Sequence, residues 1–345
     1  MKKINWLDFG FQAAAVVLAL LFTTVVILMA GAQPLQAYLY VIKGAFGSTD
    51  NFSNVLAAWV PLLLTTSGVL ITFAAGLWNI GIEGQIMAGA IFTTGALRML
   101  QDSSWSTGWI LVVGFLAGMM GGALWGALAG VLKTFGGVNE IFGGLGLNFV
   151  ATAFALYLII GPWKRPGIAS TSGTLLFPNK LWLPTFPGME LSPWALGIGI
   201  LVVIMTYFLL RGTHFGLRLK AVGKNPKAAF LIGVPTWQYS MFAFLLCGVF
   251  AGLAGAIQVT SVYHRLIPAI SSGYGFLGLL VAMLINYQAI WAVPITLFFA
   301  ALNIGGVQLP IMLKLDSSFS GVLQGILVLF VLLVEGARRR LFEKR

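Results

Sequence analysis

The chain has 345 residues, 59% of them hydrophobic and 8% charged, with a net charge of +11, a single cysteine and two histidines. Soluble domains carry about a quarter charged residues, so no soluble domain of useful size fits, and the cations sit at the ends of apolar runs rather than on a folded face that would bind nucleic acid. Cys247 lies alone in an apolar run, which excludes disulfides and Cys-ligated metals, and two histidines make a histidine metal centre improbable.

Apolar runs of the roughly 20 residues that a bilayer core requires recur along the chain. They predict an all-α polytopic membrane protein, a single transmembrane domain over 1–345. Ten crossings are expected, at 11–31, 55–76, 82–100, 108–131, 140–160, 193–210, 237–260, 273–286, 289–306 and 318–335. Lys2 and Lys3 with Ala30-Gly31-Ala32 give the first run the flanks of a signal peptide. The run exceeds the usual apolar core of about 7–15 residues, so it reads as a retained helix. An even count places both termini on one side, and the cations make that side cytoplasmic. It receives Lys2, Lys3, Lys133, five cations between Arg211 and Lys227, and five from Arg338 to Arg345.

Two loops on the outer side, 32–54 and 161–192, are rich in Pro, Gly, Ser, Thr and Trp and cannot be helical throughout. They form either a landing surface for an extracytoplasmic partner or an ordered cap. The fourth crossing carries Gly114, Gly118, Gly122, Gly126 and Gly130. That spacing puts five small residues on one helix face, as expected of a tight helix–helix seam in lipid.

Two acids, Glu83 and Glu140, lie well inside the membrane-associated sequence. A charge at mid-bilayer costs about 2.5–3.5 kcal/mol on insertion scales. Each follows an Asn, Asn79 or Asn139, at the start of a crossing. There Asn caps the helix and the carboxylate complements the helix dipole; the alternative makes them proton or cation sites of an ion-coupled secondary transporter. The segment 76–90, with Gly81, Gly84, Gly89, Asn79, Glu83 and Gln85, reads either as polar backbone beside a pore or as a tight turn between crossings. Other polar residues within crossings are Asn148, Gln258, Asn286, Asn303 and Gln324, each either path-lining or bonding a neighbouring helix. There is no Gly-x-x-x-x-Gly-Lys-Ser/Thr phosphate loop, no nucleophile–base constellation and no metal spacing. A non-catalytic chain follows, without an ATP site of its own.

The most polar internal stretch is 211–236. Asn225 reads as an N-cap, Pro226 as the first helical residue, Gly233 as the stop and Pro235 as the bar to continuation. They predict a two-turn helix, 226–232, outside the bilayer.

Gly216-Leu-Arg-Leu-Lys-Ala-Val-Gly-Lys-Asn-Pro-Lys-Ala-Ala229 and Asn79-Ile-Gly-Ile-Glu-Gly-Gln85 resemble motifs of ABC importer permeases of the branched-chain amino acid/ribose class, nucleoside-type permeases in particular. Gly137-Val-Asn-Glu-Ile141, Leu147-Asn148, Ala251-Gly-Leu-Ala-Gly-Ala256 and Gly273-Tyr-Gly-Phe276 extend the resemblance over about 55–335. After Ala282-Met-Leu the chain departs from it, reading Ile285-Asn-Tyr-Gln-Ala-Ile-Trp291. The resemblance implies a plasma-membrane permease that moves a nucleoside, or a simple sugar such as ribose. It implies cytoplasmic ATP-binding subunits that use the ATP, an extracytoplasmic substrate-binding protein and a second permease subunit, homologous or identical. No cofactor is implied in this chain. Gly216, Arg218, Lys220, Gly223, Asn225, Pro226, Ala228, Ala229 and Gly233 would couple to the ATPase. Asn79, Glu83, Gln85, Asn148, Phe276 and Asn303 are the candidates for the translocation path.

Overall fold

A computed structural model describes residues 6–167, 172–285 and 288–342, and every regular element among them is helical. In chain order these are α1 (Trp6–Met29), α2 (Pro34–Phe46), α3 (Thr49–Ala74), α4 (Ile82–Leu100), α5 (Thr107–Thr134), α6 (Glu140–Ile160) and α7 (Pro193–Gly212). Then come α8 (His214–Lys224), α9 (Pro226–Leu231), α10 (Thr236–Ile257), α11 (Tyr274–Leu284), α12 (Ala292–Gly306), α13 (Gln308–Leu313) and α14 (Phe319–Phe342). A π-turn, Gln258–Val262, prolongs α10. Lys2, Lys3, Asn286, Lys344 and Arg345, which the sequence reading uses, lie outside the described residues.

Among the described residues, six helical stretches are long and apolar enough to cross a membrane: α3, α5, α6, α7, Thr236–Val262 and Ala289–Leu313. A seventh arises if α1 and α2, bent by 108°, make one span. Each of the ten expected segments contains a helix, but among the described residues length and hydropathy qualify only six or seven spans. Two of the remaining segments fall short for physical reasons. Helix α4 carries Glu83, Gln85 and Arg98, and α11, at 11 residues, rises only about 16 Å against a core of about 30 Å. The segment 32–54, expected as a loop, is mostly α2 and the start of α3. Pro34 sits in the first turn of α2, where its missing N–H costs nothing.

Contacts divide the chain into two compact units, residues 1–56 with 297–345, and residues 57–296. In the first, α1 lies along α14, with the Phe22 and Phe330 rings 5.4 Å apart. Its core is Ile27, Ala37, Val41, Leu309 and Phe319, and α2 backs onto α13.

In the second unit, α4, α5 and α10 pack on one another at backbone distance. From Gly118 to Gly130 the predicted glycine stripe of α5 faces α10, whereas Gly114 meets Leu97 and Thr93 of α4. A Cβ on Gly122 would collide with the Gly248 carbonyl, one on Gly252 with the Gly118 carbonyl, and one on Gly126 with the Phe244 carbonyl. Lipid tails are as apolar as side chains, so close van der Waals contact must hold such helices together. Arg98, near the end of α4, sits over the Trp163 ring at 5.6 Å. The 172–192 stretch is ordered against residues 260–266. Thr174 N donates to Leu266 O at 2.9 Å, Phe177 N to His264 O at 2.9 Å, and Leu183 N to Thr260 O at 3.0 Å. Trp182 stacks on His264 at 3.7 Å, and burial pushes the His264 imidazole below its usual pKa range.

Candidate functional site

Helix α3 ends in a Schellman motif. Gly76, at φ +71°, donates to Phe73 O at 2.9 Å, and Leu77 N donates to Thr72 O at 2.9 Å. The chain then crosses a polar junction before α4 begins. Asn79 does not cap α4, whose N-cap is Gly81 with no side-chain bond. Instead its amide pairs reciprocally with that of Gln85, both bonds 3.1 Å, and its Nδ2 also donates to Cys247 Sγ at 3.0 Å. All three side chains are buried. A buried amide left unbonded costs about 1–3 kcal/mol, and the pairing avoids that for most of these groups.

Glu83 lies in the first turn of α4, as expected, but its carboxylate serves another helix. Oε1 accepts the Phe276 N–H of α11 at 3.0 Å, a residue 193 positions away. Gly273, at φ +74°, is the N-cap of α11 and offers no side chain, so Glu83 supplies the missing acceptor. Gly275 makes the approach possible: a Cβ there would lie 3.0 Å from Glu83 N and 3.1 Å from its carboxyl carbon. Gly278 likewise admits α11 to α3, where Thr65 Oγ1 donates to Tyr274 O at 3.0 Å. The carboxylate thus stands between the positive ends of two helices.

Asn148 of α6 holds the junction from the far side. Its Oδ1 accepts Gly84 N at 2.8 Å and its Nδ2 donates to Ile80 O at 2.9 Å. Gly81 and Gly144 let the two backbones meet, since a Cβ on Gly144 would lie 2.5 Å from Gly81 N. Replacing Asn148 with leucine orphans both backbone groups, at about 1–3 kcal/mol each. A clear fall in Tm of the purified protein in detergent is expected, whereas an unchanged Tm would mean that the clamp is dispensable. Asn139 caps α6 as predicted, accepting Ile141 N at 2.9 Å, and Glu140 pairs with Lys133.

The structure therefore gathers Asn79, Glu83, Gln85, Asn148 and Phe276 around the α3–α4 junction, while Asn303 lies on α12 in the other unit. Sequence reasoning missed Cys247 as a partner of Asn79. It also missed Gly275 and Gly278 as the residues that seat α11.

The polar stretch 211–236 folds as two helices. Asn225 Oδ1 accepts Ala228 N at 3.0 Å, Pro226 occupies the first turn of α9, and Gly233, at φ +83°, closes a second Schellman motif with Val234 N donating to Ala229 O at 3.0 Å. The expected helix 226–232 is α9, Pro226–Leu231. Helix α8 was not expected; Thr213 starts it by accepting Gly216 N at 3.0 Å. Val222, Ala229 and Val234 form a small core that ties α9 to α8. Phe230, Leu231 and Ile232 stay outside it, 67%, 84% and 75% exposed. Gly216 is buried against the end of α7, Arg218 reaches Tyr239 Oη at 3.4 Å, and Lys220 donates to Leu210 O. Gly223 meets the α3–α4 junction directly: a Cβ on Gly76 would lie 2.8 Å from Gly223 O.

A family model described as "Branched-chain amino acid transport system / permease component" matches residues 51–332. The glucose ABC transporter permease protein TsgB13 of Haloferax volcanii is 30% identical, covering 97% of this chain and 90% of the relative. The guanosine ABC transporter permease protein NupP of Bacillus subtilis is 26% identical, covering 92% of this chain and 91% of its own length. The nucleoside ABC transporter permease protein NupC of Lactococcus lactis is 27% identical, with 81% and 90% covered.

Proposed function

This chain belongs to the permease-component family of branched-chain amino acid transport systems, as a non-catalytic, multi-pass plasma-membrane permease of an ABC importer, and from that premise we propose that it carries a nucleoside, with a simple sugar as the second choice. Relatives named for guanosine, nucleosides and glucose support that cargo class. The proposed topology has ten crossings with both termini cytoplasmic. Helix α4 needs no apolar surface of its own because most of its residues are covered by protein. Helix α11 needs less than a full span because its N-terminus ends inside protein, on Glu83.

Separate cytoplasmic subunits bind and hydrolyse the ATP, an extracytoplasmic binding protein delivers the solute, and a second permease, identical or homologous, completes the path. No cofactor is needed in this chain. Docking on the ATPase falls to 211–236, through Gly216, Arg218, Lys220, Gly223, Asn225, Pro226, Ala228, Ala229 and Gly233. One observation carries this assignment: α9 is capped at both ends yet leaves Phe230 and Leu231, and Ile232 at its C-cap, exposed. A short capped helix whose C-terminal end presents uncovered apolar side chains suits a protein groove. Asn79, Glu83, Gln85, Asn148, Phe276 and Asn303 stay the candidates for the path. The first four support its wall from behind, because their polar atoms are engaged with protein.

Leu231→Asp is expected to abolish co-purification of the ATPase subunits and ATP-dependent uptake while leaving membrane insertion intact. Asn225→Ala, which removes a cap worth about 1 kcal/mol, should weaken both partially. Retention of the ATPase by Leu231→Asp would refute the docking assignment. Uptake of labelled nucleosides and sugars, competed by unlabelled ones, identifies the cargo. The ion-coupled alternative requires uptake that survives ATP depletion and collapses with an uncoupler.

A further inference from the structure

At the end of α7 a cleft of about 160 Å³ opens between α7, α8 and residues 288–290. Its walls are Tyr207, Leu210, Arg211, Lys220, Gln288, Ala289 and Ile290, with no carboxylate among them. Two cations therefore share one small cavity. Each is only partly engaged. Arg211 donates through Nη1 to Tyr207 Oη at 2.9 Å, with its guanidinium 5.4 Å from the ring. Lys220 donates to Leu210 O, an uncapped carbonyl of the last turn of α7. The guanidinium has five N–H groups and the ammonium three, so donors remain on both. Like charges held together gain from an anion between them, and phosphate suits the fork of arginine beside the point charge of lysine.

The surroundings select the source of that phosphate. Ile204, Met205 and Phe208 in the C-terminal half of the membrane-spanning α7, with Ile290 in the cleft wall and Trp291 next to it in sequence, are exposed apolar residues. A free phosphate has no use for such a rim, whereas acyl chains would cover it. We propose that the cleft binds the phosphate of an anionic phospholipid, with Arg211 and Lys220 on the headgroup and the apolar rim against the chains. Basic pockets between membrane helices at the interface take such headgroups.

The test uses the full-length protein purified in detergent. Native mass spectrometry with dioleoylphosphatidylglycerol and dioleoylphosphatidylcholine in equal amounts should show retained phosphatidylglycerol at least about tenfold over phosphatidylcholine. The double variant Arg211→Gln/Lys220→Gln should lose that preference, and Arg218→Gln, outside the cleft, should keep it. Arg211→Lys, which preserves charge but not the fork, should retain part of it if the double variant proves too unstable to read. Equal retention of the two lipids by the native protein would overturn the proposal. So would an unchanged preference in the double variant, or full displacement of the lipid by millimolar inorganic phosphate, which would identify a free-anion site.

Discussion

Valine at Gly248 is expected to leave almost no folded protein in the membrane. Gly248 packs against Gly122, and a Cβ on either would strike the other's carbonyl. Backbone cannot move aside as a flexible side chain does. Separating α5 from α10 at this point would also break the approaches at Gly118–Gly252 and Gly126–Phe244. In lipid no burial of apolar surface draws the helices back together, because lipid and protein are equally apolar. Overpacking a core typically costs about 1–3 kcal/mol, and a collision with backbone lies at the upper end or beyond. Immunoblots of membrane fractions, with size-exclusion profiles of the solubilised protein, measure the loss. Gly325→Val on α14, where a Cβ meets nothing within 4 Å, should behave as wild type. Normal yield of monodisperse Gly248→Val would show that the seam tolerates separation.

Alanine at Glu83 should leave the protein in the membrane but stop transport. The substitution removes the acceptor for Phe276 N–H, and Gly273 has no side chain to replace it. A hydrogen bond to a charged group contributes about 1.5–3 kcal/mol. Losing it shifts the balance between seated and displaced α11 by about ten- to hundredfold. Glutamine keeps an acceptor oxygen without the charge and should recover part of the activity. Initial uptake rates at matched membrane levels are the readout. Wild-type rates for both variants would mean that the seating of α11 does not limit transport.

The parts of this fold legible in the sequence are those whose cause is local. Apolar runs located a helix in each of the ten expected segments but not α2, α8 or α13, and Asn225-Pro226 with Gly233 located α9 because caps act over one turn. The stripe from Gly114 to Gly130 announced a close contact but not with which helix. Helix α8 had a readable start in Thr213, three residues before Gly216; the glycines at 216 and 223 argued against a helix, and tertiary packing overrode them. The site was far less legible. Glu83 suits the start of α4 by local rules, yet its partner is Phe276 on a distant segment. Asn79 looked like a cap and is half of an amide pair. No periodicity marks such partners, since they meet only once the chain has folded. The count of spans met the opposite problem: α4 carries polar residues where protein covers it, so length and hydropathy do not qualify it.

The contact between Gly76 and Gly223 has a mechanical meaning. Most helix contacts are cushioned by side chains, which change rotamer and absorb small displacements. Here main chain bears on main chain, with no side chain between them to change rotamer. A displacement of the last turn of α8 therefore bears directly on the start of the α3–α4 junction, with no rotamer change in between to absorb it. That junction is stitched to α6, α10 and α11 by Asn148, Asn79 and Glu83. A single backbone contact thus joins the basic segment to three other helices through one junction.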